Sequence, residues 1–334
     1  MHFKKAKAYK HSCIMMLMLF LLTSCSKLYD STVTIPLAHT LDVNHPVHLA
    51  LLHMDERLQQ LSSGKMKLKI FPSGQLGNER EIIELLQIGS LGMTKVSASS
   101  LEAFVPKMKV FSLPYLFNDN EHFWATLNGE VGKRLLDEGT AFRVKGLGYF
   151  DAGSRSFYSS NKLVERPEDL NGMKIRVMNS QSAVDMVNTI GGSATPVSFG
   201  ELYTALQQGV VDGAENNPPS FYFSKHFEVS KYYLLDEHTS IPDVIVIGTH
   251  IWDGLSVQQQ QWLSQAMAQA TQFQRVLWKE STEQALTAVK EAGVEVIVAD
   301  KAPFKRSVAP IYDNLKDAEI IKLVEEIKTL GELP

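Results

Sequence analysis

Two polar side chains set in glycine-containing segments are the places where this chain's residue types and spacing point to chemistry. Arg176 lies near the end of Asp169-Leu170-Asn171-Gly172-Met173-Lys174-Ile175-Arg176-Val177. Asn216 lies in Val211-Asp212-Gly213-Ala214-Glu215-Asn216-Asn217-Pro218. A guanidinium at the end of an apolar strand and an amide on a Gly/Pro loop can meet in a cleft. The guanidinium offers a planar fork of N–H donors that matches a carboxylate. The pair therefore suits a small organic anion; it suits equally a core-edge arginine capped by a structural asparagine.

Catalytic signatures are missing around them. The chain has no Gly-x-Ser-x-Gly elbow and no His-Glu-x-x-His pair. Gly146-Leu147-Gly148 lacks the third glycine of a dinucleotide loop, and the stretch from Gly129 to Lys133 is too short for a phosphate loop. The ten histidines show no paired ligand spacing. No catalytic class, cofactor or metal is indicated. A net charge of -4 gives no sign of nucleic-acid binding.

The elements that must position the pair follow an alternating rhythm. Residues 33–38 read as a strand. Asn44-His45-Pro46 opens a helix, with Val47, Leu51, Met54, Leu58 and Leu61 on one face. Residues 67–71 alternate charged and apolar as a half-buried strand does. A helix over 79–88 stops at Gly89, and residues 93–97 and 146–150 read as strands. The rhythm resumes with a strand at 173–177 and helices at 181–190 and 199–208, which points to a second α/β unit. From Ser256 to Ala292 there is neither Pro nor Gly. That predicts one helix of roughly 55 Å, longer than a single domain is wide. Trp262, Met267, Phe273, Leu277 and Leu286 are its expected contact points.

The N-terminus carries a sorting signal. Lys4, Lys5, Lys7 and Lys10 precede an apolar run from Cys13 to Leu22. The run is too short to span a bilayer, which takes roughly 20 residues, and fits a signal-peptide core. It ends in Leu22-Thr23-Ser24-Cys25, the pattern of a bacterial lipobox. Cleavage before Cys25 and lipidation of that cysteine are expected, leaving 25–32 as a tether. Removing residues 1–24 deletes four lysines and no acid, so the net charge moves from -4 to -8. Cys25 is then the last cysteine, so no internal disulfide forms.

Several of these segments together resemble the extracytoplasmic solute receptors of tripartite ATP-independent periplasmic (TRAP) transporters, the DctP family. They are 71–77 (Phe-Pro-Ser-Gly-Gln-Leu-Gly), 113–117 (Leu-Pro-Tyr-Leu-Phe), 170–177, 195–206 and 211–218. The resemblance runs from about residue 33 to 330. It implies an α/β, two-lobed periplasmic binding protein (type II-like) with a long helix spanning both lobes. By that likeness lobe one comprises 33–152 plus 242–281, and lobe two 153–241 plus 282–334. The implied partners are a small organic-acid ligand, the small and large membrane permease subunits, and a lipid anchor holding the protein in the periplasm.

Carried over residue by residue, the resemblance makes Arg176 the clamp on the ligand carboxylate and Arg155 a second basic group beside it. Asn216 completes that pocket, with Glu215 as its neighbour, and Phe199 lies against the ligand. On lobe one, Glu79 would accept ligand hydroxyls, and His39 would line the cleft, as would His238 before a lobe crossing. Family members that bind sialate carry a charged pair where this chain has Ser97 and Ser100, which disfavours sialate. The segments 151–158, 211–218 and 237–238 look most like receptors for D-glucuronate and D-galacturonate. C4-dicarboxylate, diketogulonate or sialate remain alternative ligands. A ligand sensor, or a sugar hydrolase using Glu79 with Glu215, are alternative functions.

Overall fold

The computed structural model describes residues 32–332. The expected signal segment, Cys25 and the tether up to residue 31 lie outside the described residues. Two β-sheets organise the rest, and the chain passes between them more than once.

The first sheet has the order β2-β1-β3-β10-β4. Strands β1 (Val33–Ala38), β2 (Met66–Phe71) and β3 (Met93–Ser97) run parallel, with Leu37 opposite Met93. β10 (Asp243–Gly248) and β4 (Val144–Phe150) complete it antiparallel. The helix Pro46–Leu61 connects β1 to β2. His45 caps it, Pro46 sits in its first turn, and Val47, Leu51, Met54 and Leu58 are buried. The helix Glu79–Gln87 begins with a capping box in which Asn78 and Glu81 satisfy each other's backbone N–H groups.

The second sheet has the order β11-β9-β5-β8-β6-β7. Its strands are β5 (Ser156–Ser159), β6 (Lys174–Val177), β7 (Ser193–Pro196), β8 (Gly213–Asn216), β9 (Tyr232–Leu235) and β11 (Glu295–Val298). Arg176 pairs with Thr195 on β7 and Ala214 on β8, so the segments carrying Arg176 and Asn216 are neighbours across one ladder. Helix 181–190 forms as expected, capped by Ser180. The stretch 199–208 forms a 3-10 turn followed by the helix Leu202–Gln207.

Two segments that cross between the sheets pair with each other. The Arg155 N–H donates to the Thr239 carbonyl at 2.8 Å, and the His238 N–H to the Arg155 carbonyl at 3.0 Å. A third crossing is the single helix Val257–Glu291, about 52 Å long at 1.5 Å per residue. Ser256 and Gln259 form its capping box. Its buried stripe is Leu263, Ala266, Met267, Ala270, Gln274, Trp278, Ser281, Ala285 and Val289. The N-terminal part packs in the first sheet's core, and Leu286 and Val289 pack in the second's.

Two expectations are corrected. Of the expected helix contacts, Met267 is buried and Trp262 and Leu286 pack against the two cores, but Phe273 is exposed and stacks on His53 at 4.3 Å. Residues 282–334 were also assigned wholly to the second lobe. Ile320, Leu323, Val324 and Ile327 of the C-terminal helix Ala318–Leu330 lie in the first sheet's core, where His122 Nε2 reaches the Ile327 carbonyl at 2.7 Å.

The long helix grips the first crossing through one amide. Gln274 Oε1 accepts from the Asp151 N–H at 2.7 Å, and Gln274 Nε2 donates to the Asp151 carbonyl at 2.8 Å. Gln274→Leu keeps the volume and orphans both backbone groups. It should lower unfolding free energy by about 2–5 kcal/mol in urea titration. A loss under about 1 kcal/mol would show that the clamp is not needed.

Candidate functional site

Between the two sheets lies a cleft holding about 870 Å³ of non-protein space, its open mouth included. One wall comes from the first sheet and its helices, with Glu79, Lys95, Ser97, Ser100 and Asp243. The other comes from the second, with Arg155, Arg176, Phe199, Asn216 and Ser220. Trp278 of the long helix also lines it.

The two arginines differ in one decisive respect. Arg155 is spent on protein partners. Its Nε and Nη2 donate to the two oxygens of the Glu215 carboxylate, Nη2 also reaches the Glu215 carbonyl at 2.7 Å, and Nη1 donates to Asn216 Oδ1 at 2.9 Å. Arg176 is only 2 % exposed, yet it has no ion-pair partner among the described residues. Its Nε donates to the Val197 carbonyl at 2.8 Å, whereas Nη1 is buried with no partner. The Phe199 ring lies 5.9 Å from its guanidinium carbon. Burial penalises the charge and pushes the Arg176 pKa down. A buried cation and an orphaned donor are both costly unless an anion completes them.

The first-sheet wall is charged in the opposite sense. Lys95 stands on β3, 3 % exposed, with Nζ 3.3 Å from Glu79 Oε1 and 3.2 Å from Asp243 Oδ1. Glu79 Oε1 also accepts from the Ser97 N–H at 3.2 Å. Ser97 Oγ accepts from the Ser99 N–H and caps the short helix Ala98–Leu101. Two carboxylates share one ammonium, and Arg80, the other cation lining this wall, is paired with Glu84, which leaves one negative charge in excess.

Arg176, Arg155, Asn216, Glu79, Phe199, Ser97 and Ser100 thus line one cleft. Three other expected contacts do not line it. His39 is fully buried; its Nδ1 accepts from the Leu41 N–H, so Nε2 carries the proton and donates to His48 Nδ1 at 2.9 Å. Burial, helped by Lys95 and His48, pushes its pKa down to about 3. Glu215 and His238 form a buried chain behind the second wall: Asp236 Oδ2 lies 2.8 Å from His238 Nδ1, and His238 Nε2 lies 3.5 Å from Glu215 Oε2. Burial alone would raise the Glu215 pKa, but Arg155 and His238 outweigh it and hold it at about 2. Burial alone would lower His238, but Asp236 and Glu215 outweigh it and raise it to about 9. Glu215 is turned away from the cleft, so Glu79 and Glu215 do not face a common substrate as a hydrolytic pair must.

Sequence reasoning missed Lys95, Asp243, His45 and Ser220. A lone lysine in a five-residue strand and an aspartate opening the apolar run 244–247 were the available signals. His45 Nδ1 accepts from the Val47 N–H at 3.3 Å, which puts its proton on Nε2, 3.2 Å from Ser220 Oγ. That bond joins the two walls. A second link joins them at Glu102, whose Oε1 accepts from Ser180 Oγ at 2.8 Å and the Ser182 N–H at 3.0 Å.

The match to known proteins is broad. Residues 37–318 match the family model DctP, bacterial extracellular solute-binding protein, family 7. The uncharacterized protein YiiZ of Salmonella typhimurium is 39% identical over 289 residues, covering 86% of this chain and 88% of YiiZ. A TRAP periplasmic solute binding protein from Xanthobacter autotrophicus, solved with bound β-D-galacturonate, superimposes with a TM-score of 0.86. It is 35% identical and covers 88% of this chain and 99% of its own. Another from Anaerococcus prevotii, solved with bound D-glucuronate, has a TM-score of 0.87, is 34% identical, and covers 90% and 98%.

The buried histidines set a pH dependence with two limbs. His238 has a folded pKa of about 9, above its ordinary 6.5, so its contribution is complete below pH 6.5 and is lost as pH rises through 9. His39 and His226 have folded values of about 3, so the unfolded chain takes up their protons first, and stability falls as pH drops from 6.5 towards 3. Melting temperature measured from pH 4 to 10 should therefore peak near neutrality. His238→Gln should flatten the limb between 6.5 and 9; an unchanged alkaline slope would rule out this assignment.

Proposed function

The chain belongs to the bacterial extracellular solute-binding proteins of family 7, and on that premise we propose that it captures D-glucuronate or D-galacturonate for a TRAP transporter. The observation that carries the ligand class is the buried, unpaired guanidinium of Arg176, aimed into a polar cleft. A ligand carboxylate there would take up the orphaned Nη1 donor and neutralise the charge in one step. Asn216, held at Oδ1 by Arg155 Nη1 and by the Asn217 N–H, keeps its amide donors for the same ligand end. Glu79, Asp243 and Ser100 supply acceptors and a hydroxyl for the polyol end.

Binding in this reading closes two lobes over the ligand. Lobe one takes 33–152, 242–281 and the C-terminal helix; lobe two takes 153–241 and the segment after 282 that leads up to that helix. The His45–Ser220 and Glu102–Ser180 contacts join first-sheet elements to second-sheet elements and would part on opening. Closure of this type requires contacts present in the closed state alone. The mature protein is tethered at the membrane through lipidated Cys25 and delivers its ligand to the small and large permease subunits.

Calorimetric titration of the purified protein with D-glucuronate, D-galacturonate, succinate and sialate checks the ligand class. At least one uronate should bind with a Kd in the micromolar range or below, with succinate and sialate at least about 100-fold weaker, or roughly 2.7 kcal/mol. Micromolar succinate binding with no uronate binding would overturn the proposal.

A further inference from the structure

The cleft is electrically polar. One wall presents Arg176, a cation with no counter-ion among the described residues. The other presents Glu79 and Asp243 with a single ammonium, Lys95, between them. All four side chains line the same cavity. Each carboxylate has one oxygen at Lys95, Oε1 of Glu79 and Oδ1 of Asp243. The Glu79 and Asp243 side chains are 16% and 10% exposed, in keeping with a position at the cavity surface.

We infer that Glu79 and Asp243, braced by Lys95, select against diacids. They make the site a receptor for sugar acids with a carboxylate at one end and hydroxyls at the other. The inference rests on the Arg176 end holding the ligand carboxylate. With one carboxylate at Arg176, the far end of the ligand meets acceptor oxygens carrying a net negative charge. Hydroxyl groups donate to them and are retained. A second carboxylate has no proton to donate, and it must sit against two like charges of which only one is compensated. Like charge brought together in a dry site is the usual way a pocket rejects a near-relative of its ligand. The cluster is already strained in that sense: burial first, and Glu79 second, raise the Asp243 pKa against the opposing pull of Lys95. A third carboxylate would gather three negative charges around the one ammonium of Lys95. That ammonium is a compact point charge, and it already donates to both acids.

The discriminating comparison is a uronate against the corresponding aldarate, whose other terminus is also a carboxylate. The wild-type protein should bind D-glucuronate or D-galacturonate at least on the order of 100-fold more tightly than D-glucarate, galactarate or succinate, by calorimetry at fixed salt. Asp243→Asn and Glu79→Gln, made singly, each leave Lys95 one partner and remove the excess charge. Each should raise aldarate affinity relative to uronate affinity by roughly tenfold or more, with circular dichroism confirming the fold. Charge-preserving Asp243→Glu should not shift the ratio in that direction. If uronates bind but aldarates bind within threefold of them, this inference fails and the uronate reading stands. If the variants fold and the ratio does not move, it fails likewise. If succinate or an aldarate binds wild type and no uronate does, both readings fall together.

Discussion

A buried guanidinium without a counter-ion is the constraint on which the rest of this structure turns. Arg155, just before β5, and Arg176, on β6, are both buried, yet among the described residues only Arg155 has an ion-pair partner. Arg155 is locked to Glu215, which His238 and Asp236 support from behind. That chain is a fully partnered polar network, the form in which buried charge is tolerated. Arg176 keeps one backbone acceptor at Val197 and leaves Nη1 orphaned. This contrast between the two arginines is the ground for the carboxylate-binding role proposed for Arg176.

The surrounding elements fix that arginine. β7 and β8 flank β6 in register and fix the backbone at Arg176, and the Val197 carbonyl holds its Nε. The crossing segments pair at Arg155 and Thr239, and Gln274 ties the first of them to the long helix. Gly153 makes this possible: its φ is +58°, and a Cβ there would meet the Trp278 indole nitrogen at 3.0 Å.

Much of this was legible in the sequence, for physical reasons. The long helix showed itself through the absence of Pro and Gly and through its Ser256 cap, both local properties. Arg176 could be placed because apolar neighbours mark its strand, whereas Asn216, read as a loop residue, is the last residue of strand β8. The errors have a common cause. His39, Glu215 and His238 are polar residues at strand ends, and sequence does not say which protein group already satisfies them. Lys95 and Asp243 are 148 positions apart, so their meeting depends on β10 returning to the first sheet beside β3. The C-terminal helix was misplaced because its apolar face, Ile320, Leu323, Val324 and Ile327, fits either core equally by pattern.

The central claim is that Arg176 is held at a cost to the empty protein and repaid by the ligand carboxylate. Thermal unfolding of Arg176→Met, measured beside wild type with and without D-glucuronate or D-galacturonate, tests it most directly. Replacing an uncompensated buried charge with an apolar side chain of similar length should leave the melting temperature of the ligand-free protein unchanged or raise it. The same change should abolish the ligand-induced rise seen in wild type. A variant that melts well below wild type without ligand, or that keeps its ligand-induced rise, would contradict the account.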